Sequence, residues 1–185
     1  NIDLEFPIGE GQSVRLRNEG LLNFINIAAD LENEFITTTQ NLISQKLQTL
    51  YYITDSRDIE TWDADPQEQD FVGYRGENTV SMLHALRDDE EAFEEVVDAI
   101  SKIIDKTDEI VADMHDTQTM TEMVDKDTGE RFNVVASGSG LRRLLPIIVQ
   151  VISMEEGSTL LLEEPEISLY PATQGRFIKF LIEKI

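Results

Sequence analysis

The chain has 185 residues, of which 41% are hydrophobic and 28% charged, with a formal net charge of −22 and no cysteine. That length supports one domain with a real core, and the composition excludes a disordered chain. No apolar run approaches the roughly 18 residues of a membrane span, and a charge of this sign repels nucleic acid except at a local basic patch. The lack of cysteine excludes disulfides and thiol catalysis and fits a cytoplasmic protein, and no signal-peptide pattern opens the chain. The acids are densest at Asp88 to Glu95. A solvated surface, adaptation to high salt and an acidic face for a basic partner all accommodate them.

In chain order, Ile2, Leu4 and Phe6 alternate with polar residues, which predicts a half-buried strand ending at Pro7. Gly9 and Gly11 mark a turn, and Ser13 to Arg17 reads as a second strand. Leu21 to about Leu50 has helical spacing, with Leu22, Ile25, Ala29, Phe35, Ile43 and Leu47 on one stripe; the β-branched run Thr37 to Thr39 weighs against it. Tyr51 to Ile53 reads as a short strand with Arg57 near its exit, either a phosphate or carboxylate clamp or one half of a structural ion pair. Asp58 to Asp70 is a polar loop, and its Asp63, Asp65 and Asp70 lack the offsets of a calcium loop.

Gly73-Tyr74-Arg75-Gly76 is either a structural turn or a basic phosphate holder, and Asn78 is placed to cap a helix through Leu86. Asp88 to Met114 carries a helical apolar stripe, with a break expected near Asp105 to Thr107; it suits a helix packed on its own domain better than a coiled-coil arm. His84 and His115 sit in no ligand-spaced cluster. Thr119 to Val124 and Phe132 to Val135 flank the turn residues Asp125 to Glu130, which predicts a hairpin.

Two stretches carry chemistry. Ala136 to Leu145 reads ASGSGLRRLL, a small-residue loop opening an apolar helix through Ile152, with Pro146 near its start. Free N–H groups and the positive end of the helix dipole suit such a loop to phosphate; a plain helix-capping turn is the alternative. Ser158 to Gln174 reads STLLLEEPEISLYPATQ. Thr159 to Leu162 predicts a strand buried on both faces, and Pro165 stops it. Glu163 and Glu164 fall at its carboxyl end, where open α/β sheets bind ligands. Adjacent strand residues point oppositely, which suggests two different jobs. A solvated strand end, or a hydrolytic pair of Glu164 with Glu166, is the rival; no aromatic sugar platform supports the latter. Pro171 opens a last helix with Phe177, Phe180 and Leu181 inward.

At these residues the chain resembles a known family. SGSG followed by LRR looks like the signature loop of ABC-type ATPases, and LLLEEPEISLYP looks like their Walker B strand and D-loop. The EEPE-x-x-L-x-P form is similar to the branch containing the overcoming-lysogenization-defect (OLD) ATPases and RecF/SMC-like ATPases. The likeness is strong over Thr119 to Ile185; upstream, YYITDSR and VGYRGENTVSML also resemble segments of that branch.

The resemblance implies an α/β P-loop NTPase partial domain, ABC-ATPase-like, with a mixed sheet and flanking helices. Residues 1–185 would form one partial head: strands and a helix over 1–57, a helical lobe over 58–118, and signature loop, Walker B and D-loop over 119–185. It implies ATP and Mg²⁺ as cofactors. Glu163 would be the metal-holding Walker B acid and Glu164 the glutamate that polarises the attacking water. Ser137, Gly138, Ser139 and Gly140 would meet the γ-phosphate held by an opposing subunit, with Leu169 and Tyr170 in the D-loop. A histidine is common where Tyr170 stands. The implied partners are a second head in an ATP-sandwiched homodimer or a P-loop-bearing segment, with nucleic acid by family analogy only and no membrane.

The chain also departs from the family at the phosphate-binding loop: no G-x-x-x-x-G-K-[ST] occurs, and no glycine precedes a lysine. The histidine switch is also absent. The chain opens on Asn1 rather than Met and stops at Ile185 within a helical pattern. A fragment is therefore expected, with the P-loop upstream or on another chain. A non-catalytic interaction module that keeps the fold is the alternative.

Overall fold

The computed structural model describes residues 3–9, 12–18, 25–28, 41, 43–44, 47, 49–61, 63–64, 69–104 and 107–184; for 3–28, 63–64, 107–108 and 115 it describes the backbone path alone. The class is mixed α/β with parallel and antiparallel pairings, as expected of a partial P-loop NTPase-like domain. The chain divides into two compact units, Asn1–Leu50 with Gly157–Thr159, and Tyr51–Glu156 with Leu160–Ile185.

In the first unit, β1 (Asp3–Gly9), β2 (Gln12–Asn18) and β3 (Ile25–Ala28) form an antiparallel sheet in that order. Pairing slips between Pro7 and Gly9, so the strand runs past Pro7, the residue expected to end it. A bulge tolerates a residue that cannot donate to the ladder. Ile25–Ala28 was expected on a helix; it pairs with β2 instead, from Arg15↔Ala28 to Asn18↔Ile25, because a partner strand overrides a weak helical pattern. Residues 41, 43, 44 and 47 are helical; the Phe35 and Thr37–Thr39 part of that expectation lies outside the described residues.

The second unit holds the candidate site. β4 (Leu50–Ile53) pairs with β9 (Thr159–Leu162). The Thr159 N–H donates to the Thr49 carbonyl, and four residues further on in each strand the Glu163 N–H donates to the Ile53 carbonyl, so the two strands run parallel. A second sheet is antiparallel: β6 (Thr107–His115) lies along one edge of β7 (Gln118–Asp125), and β5 (Asp63–Ala64) and β8 (Arg131–Asn133) pair with β7 on their own account. The β7–β8 turn is the hairpin read from the sequence.

Among the described residues of this unit four α-helices pack: α1 (Thr79–Ala85), α2 (Glu90–Ile103), α3 (Ser139–Ser153) and α4 (Pro171–Lys184). Asn78 precedes α1 as expected, but its side chain makes no cap; it donates to the Phe71 carbonyl. α2 starts where Asp89 accepts the Ala92 N–H, with Glu90 and Glu91 at the positive end of its dipole. Its buried face is Val96, Ala99, Ile100 and Ile103. The stripe leaves the helix at Ile104, close to the break expected at Asp105 to Thr107, but beyond it runs as strand where helix to Met114 was expected, with Ile110 and Ala112 buried alternately on β6. The β7 partner, with Thr119, Thr121 and Met123 buried, decides the period.

α3 is the spine of the core. Leu144, Leu145, Ile147, Ile148 and Val149 are all essentially inaccessible. Pro146 lies inside this helix and packs on Gly76, whose φ of +85° suits glycine and where an added Cβ would stand 2.8 Å from Pro146 Cγ. Gln150 is fully buried; its Oε1 accepts the Val72 N–H at 2.9 Å and its Nε2 donates to the Asp70 carbonyl at 3.3 Å. β9 is not buried on both faces as expected. Leu160 and Leu162 pack on the core, but Leu161 is 49% exposed, because only one side of the strand is covered among the described residues. No helix among the described residues is long and apolar enough to cross a membrane.

Candidate functional site

The parallel pair ends in a cluster of acids and carbonyls. Glu163 is the first residue past β9, and its exposed carboxylate is anchored from the neighbouring strand. Tyr52 donates its phenol O–H to Glu163 Oε1 at 2.5 Å, and the Asp55 N–H donates to Oε2 at 3.3 Å. These two donors hold the Glu163 carboxyl below its ordinary range, while the same bond holds the Tyr52 phenol above its own. Tyr52 is backed edge-on by Tyr74, ring centroids 6.2 Å apart, and Tyr74 is backed by Phe71 at 5.3 Å. The Thr54 N–H donates to the Tyr74 carbonyl and the Asp58 N–H to that of Arg75. The Gly73–Gly76 turn therefore braces the strand that carries Tyr52. Arg75 itself is solvent-facing, with Glu60 3.7 Å away.

Glu164 differs from its neighbour. Its carboxylate is exposed and makes no hydrogen bond or ion pair with a described residue. Its backbone is left-handed, φ +38°, which is uncommon for a residue with a Cβ. Two donors hold that conformation through its carbonyl: Arg57 Nη2 at 2.9 Å and the Ile167 N–H at 3.1 Å.

Arg57 is neither of the things expected of it. It is fully buried and grips backbone alone: Nε donates to the Arg143 carbonyl at 2.9 Å, Nη1 to the Thr54 carbonyl at 2.9 Å and the Glu163 carbonyl at 2.7 Å, and Nη2 to Glu164. Burial, with the nearby Arg143 charge, pulls the guanidinium below its ordinary value. Carbonyl dipoles accept the fork in place of a carboxylate.

The SGSG loop follows a 3₁₀ turn at Val134–Ala136. Ser137 is half-buried, and its hydroxyl donates to the Val134 carbonyl at 2.6 Å. Gly138 caps α3 without a side chain, and Gly138 and Ser139 are exposed. Gly140 meets the other candidate stretch: a Cβ built on it would stand 2.9 Å from the Ser168 carbonyl oxygen and 3.4 Å from Leu169 Cδ2. Leu169 packs against the core, whereas Tyr170 is 82% exposed. The fold thus brings Gly140 and Leu169 together, and Arg57 ties the Arg143 turn of α3 to Glu163 and Glu164. Ser139 and Tyr170 point to solvent.

A family model described as an AAA ATPase domain matches residues 17–185. The chain belongs to that family. No curated protein matches its sequence. AAA ATPase domains generally use ATP and Mg²⁺, and two features of this AAA ATPase domain bear on whether its residues suit them. Glu163 is ionised and exposed, and each of its oxygens keeps a lone pair after Tyr52 and Asp55 are served. That suits a hard cation that retains most of its water. No group of three or more His, Asp or Glu placed to hold a metal is found among the described residues, so the carboxylates supply part of a coordination shell at most. The residues the sequence reading passed over are Tyr52, Tyr74, Arg143 and Gln150. Only a tyrosine one strand away from an acid hinted at the first; Tyr74 and Arg143 offer their carbonyls, and the Gln150 amide meets the backbone of Val72 and Asp70, and contacts with backbone groups leave no sequence pattern.

Proposed function

We propose that the chain is part of an ATP-hydrolysing head of the ABC/OLD-like kind, bearing the signature loop, Walker B and D-loop. The P-loop is supplied by a segment outside these 185 residues or by another chain. The observation that carries this reading is the division of labour between two adjacent carboxylates. One is anchored by Tyr52 and held ionised; the next is exposed, makes no bond with a described residue and is set on a left-handed backbone at the carboxyl end of a parallel strand.

In this reading Glu163 would hold Mg²⁺, directly or through water, and the bound cation would supply charge neutralisation at the phosphates. Glu164 accepts a hydrogen bond from the attacking water and so polarises it. Ser137, Gly138, Ser139 and Gly140, at the positive end of α3, face the γ-phosphate bound on an opposing head, and Leu169 and Tyr170 belong to the same joint. ATP would then bring two heads together as a homodimer. The exposed loop residues Gly138, Ser139 and Tyr170 support this, being free to meet a second surface.

The test is Glu164→Gln in the full-length protein. Loss of ATP hydrolysis with ATP-driven dimerisation retained is the expected result. If neither changes, the site is not catalytic and the domain is an interaction module that keeps the fold. A calorimetric titration of Mg-ATP into the 185-residue chain is the companion measurement. No binding is expected of a half-site; micromolar binding would mean that the nucleotide site is complete by another route.

A further inference from the structure

Arg57 is a buried, charged side chain to which hydrolysis assigns no part. Its four acceptors come from three separate segments: Thr54 past β4, Arg143 in α3, and Glu163 with Glu164 past β9. A core arginine would ordinarily be matched by a carboxylate; among the described residues none lies at ion-pair distance. Its fork is therefore spent on fixing where three backbones lie relative to one another.

We infer that Arg57 is a positioning residue that couples the signature-loop helix to the acidic strand exit. While α3 is seated, the Arg143 carbonyl orients Nε, and the planar fork fixes Nη1 and Nη2 on Glu163 and Glu164. Glu164 then keeps its left-handed backbone, and its carboxylate makes no hydrogen bond or ion pair with a described residue. A shift of α3, as when a second head presses on Gly138 and Ser139, is transmitted through one rigid group to the residue proposed to orient water. A lysine keeps the charge and the stem but has a single nitrogen, which cannot serve four carbonyls on three segments. This inference rests on the ATPase reading above.

The experiment compares Arg57→Lys with the wild-type full-length protein in steady-state ATP hydrolysis, ATP-driven dimerisation and thermal melting. Turnover is expected to fall about 10- to 100-fold, while KM for ATP and the ATP concentration that half-saturates dimerisation stay within about threefold. Turnover within about threefold of wild type overturns the inference. So does a KM that rises in proportion to the loss, since that marks damage to nucleotide binding. Absence of hydrolysis in the wild type overturns the ATPase reading and this inference with it, and is seen before any variant is made. Should Arg57→Lys lack a cooperative melt, ¹⁵N-arginine spectra of the wild type decide. One guanidinium with hindered rotation and separately resolved Nη signals is expected; rapid rotation in every arginine overturns the inference.

Discussion

Gly140 offers the sharpest test of the join between the two motif stretches. It is the second residue of α3, where replacing glycine by alanine would ordinarily stabilise by up to about 1 kcal/mol. Here the new Cβ would stand 2.9 Å from the Ser168 carbonyl oxygen, a backbone atom that cannot rotate away, and 3.4 Å from Leu169 Cδ2. Ser168 is itself held at φ +64°, so it has little room to adjust. Overpacking of this kind costs about 1–3 kcal/mol, which outweighs the helical gain. Gly140→Ala is therefore expected to lose about 1–2 kcal/mol net, moving a urea midpoint down by about 0.5–1 M. Gly138→Ala is the control. Its φ is −64° and nothing lies within 4 Å of the added Cβ, so only the weaker N-cap counts, and the change stays within about 1 kcal/mol. Amide exchange of residues 166–170 should quicken in Gly140→Ala and not in Gly138→Ala. A Gly140→Ala protein more stable than wild type would refute the close approach, and with it the contact between signature helix and D-loop.

Two further predictions concern the supports. Tyr52→Phe removes the phenol that holds Glu163, and carboxyl NMR titration should show Glu163 moving up towards the ordinary 4.5. A depressed carboxyl stabilises the fold above its unfolded value and loses that contribution as pH falls through its folded value. The raised Tyr52 contributes below 10.0 and loses its part as pH rises beyond it. The stability difference between Tyr52→Phe and wild type should thus be flat from about pH 6 to 9 and shrink on both sides; an unmoved Glu163 titration would show that the bond does not form in solution. Gln150→Leu leaves the buried Val72 N–H without its acceptor and should cost about 1–3 kcal/mol in chemical denaturation, unlike a surface glutamine, which would cost almost nothing.

Local chemistry was enough to read several things from the sequence. The β7–β8 hairpin follows from turn residues between strand formers, and α3 from an unbroken apolar stripe. The termination of β9 at two acids follows from Pro165. The apolar stripe from Asp88 marked α2, and the break expected near Asp105 to Thr107 falls close to its end at Ile103. In each case neighbours along the chain determine the outcome, so spacing carries the information. Period failed where a partner strand decided: Ile25–Ala28 and Thr107–His115 have side chains that also fit a helical stripe, and only pairing with β2 and β7 makes them strands.

At the site, the sequence by itself determined which residue types stand where: two carboxylates at a strand end, and small residues at a helix start. Which carboxylate is anchored and which is left free depended on Tyr52, 111 positions away in the chain. That Gly140 must be glycine depended on the Ser168 carbonyl, and that Arg57 grips backbone rather than acid depended on three segments converging. Carbonyls and N–H groups occur at nearly every residue, so no sequence pattern can say which of them a buried fork will find. Only the tertiary path of the chain brings them within hydrogen-bond reach.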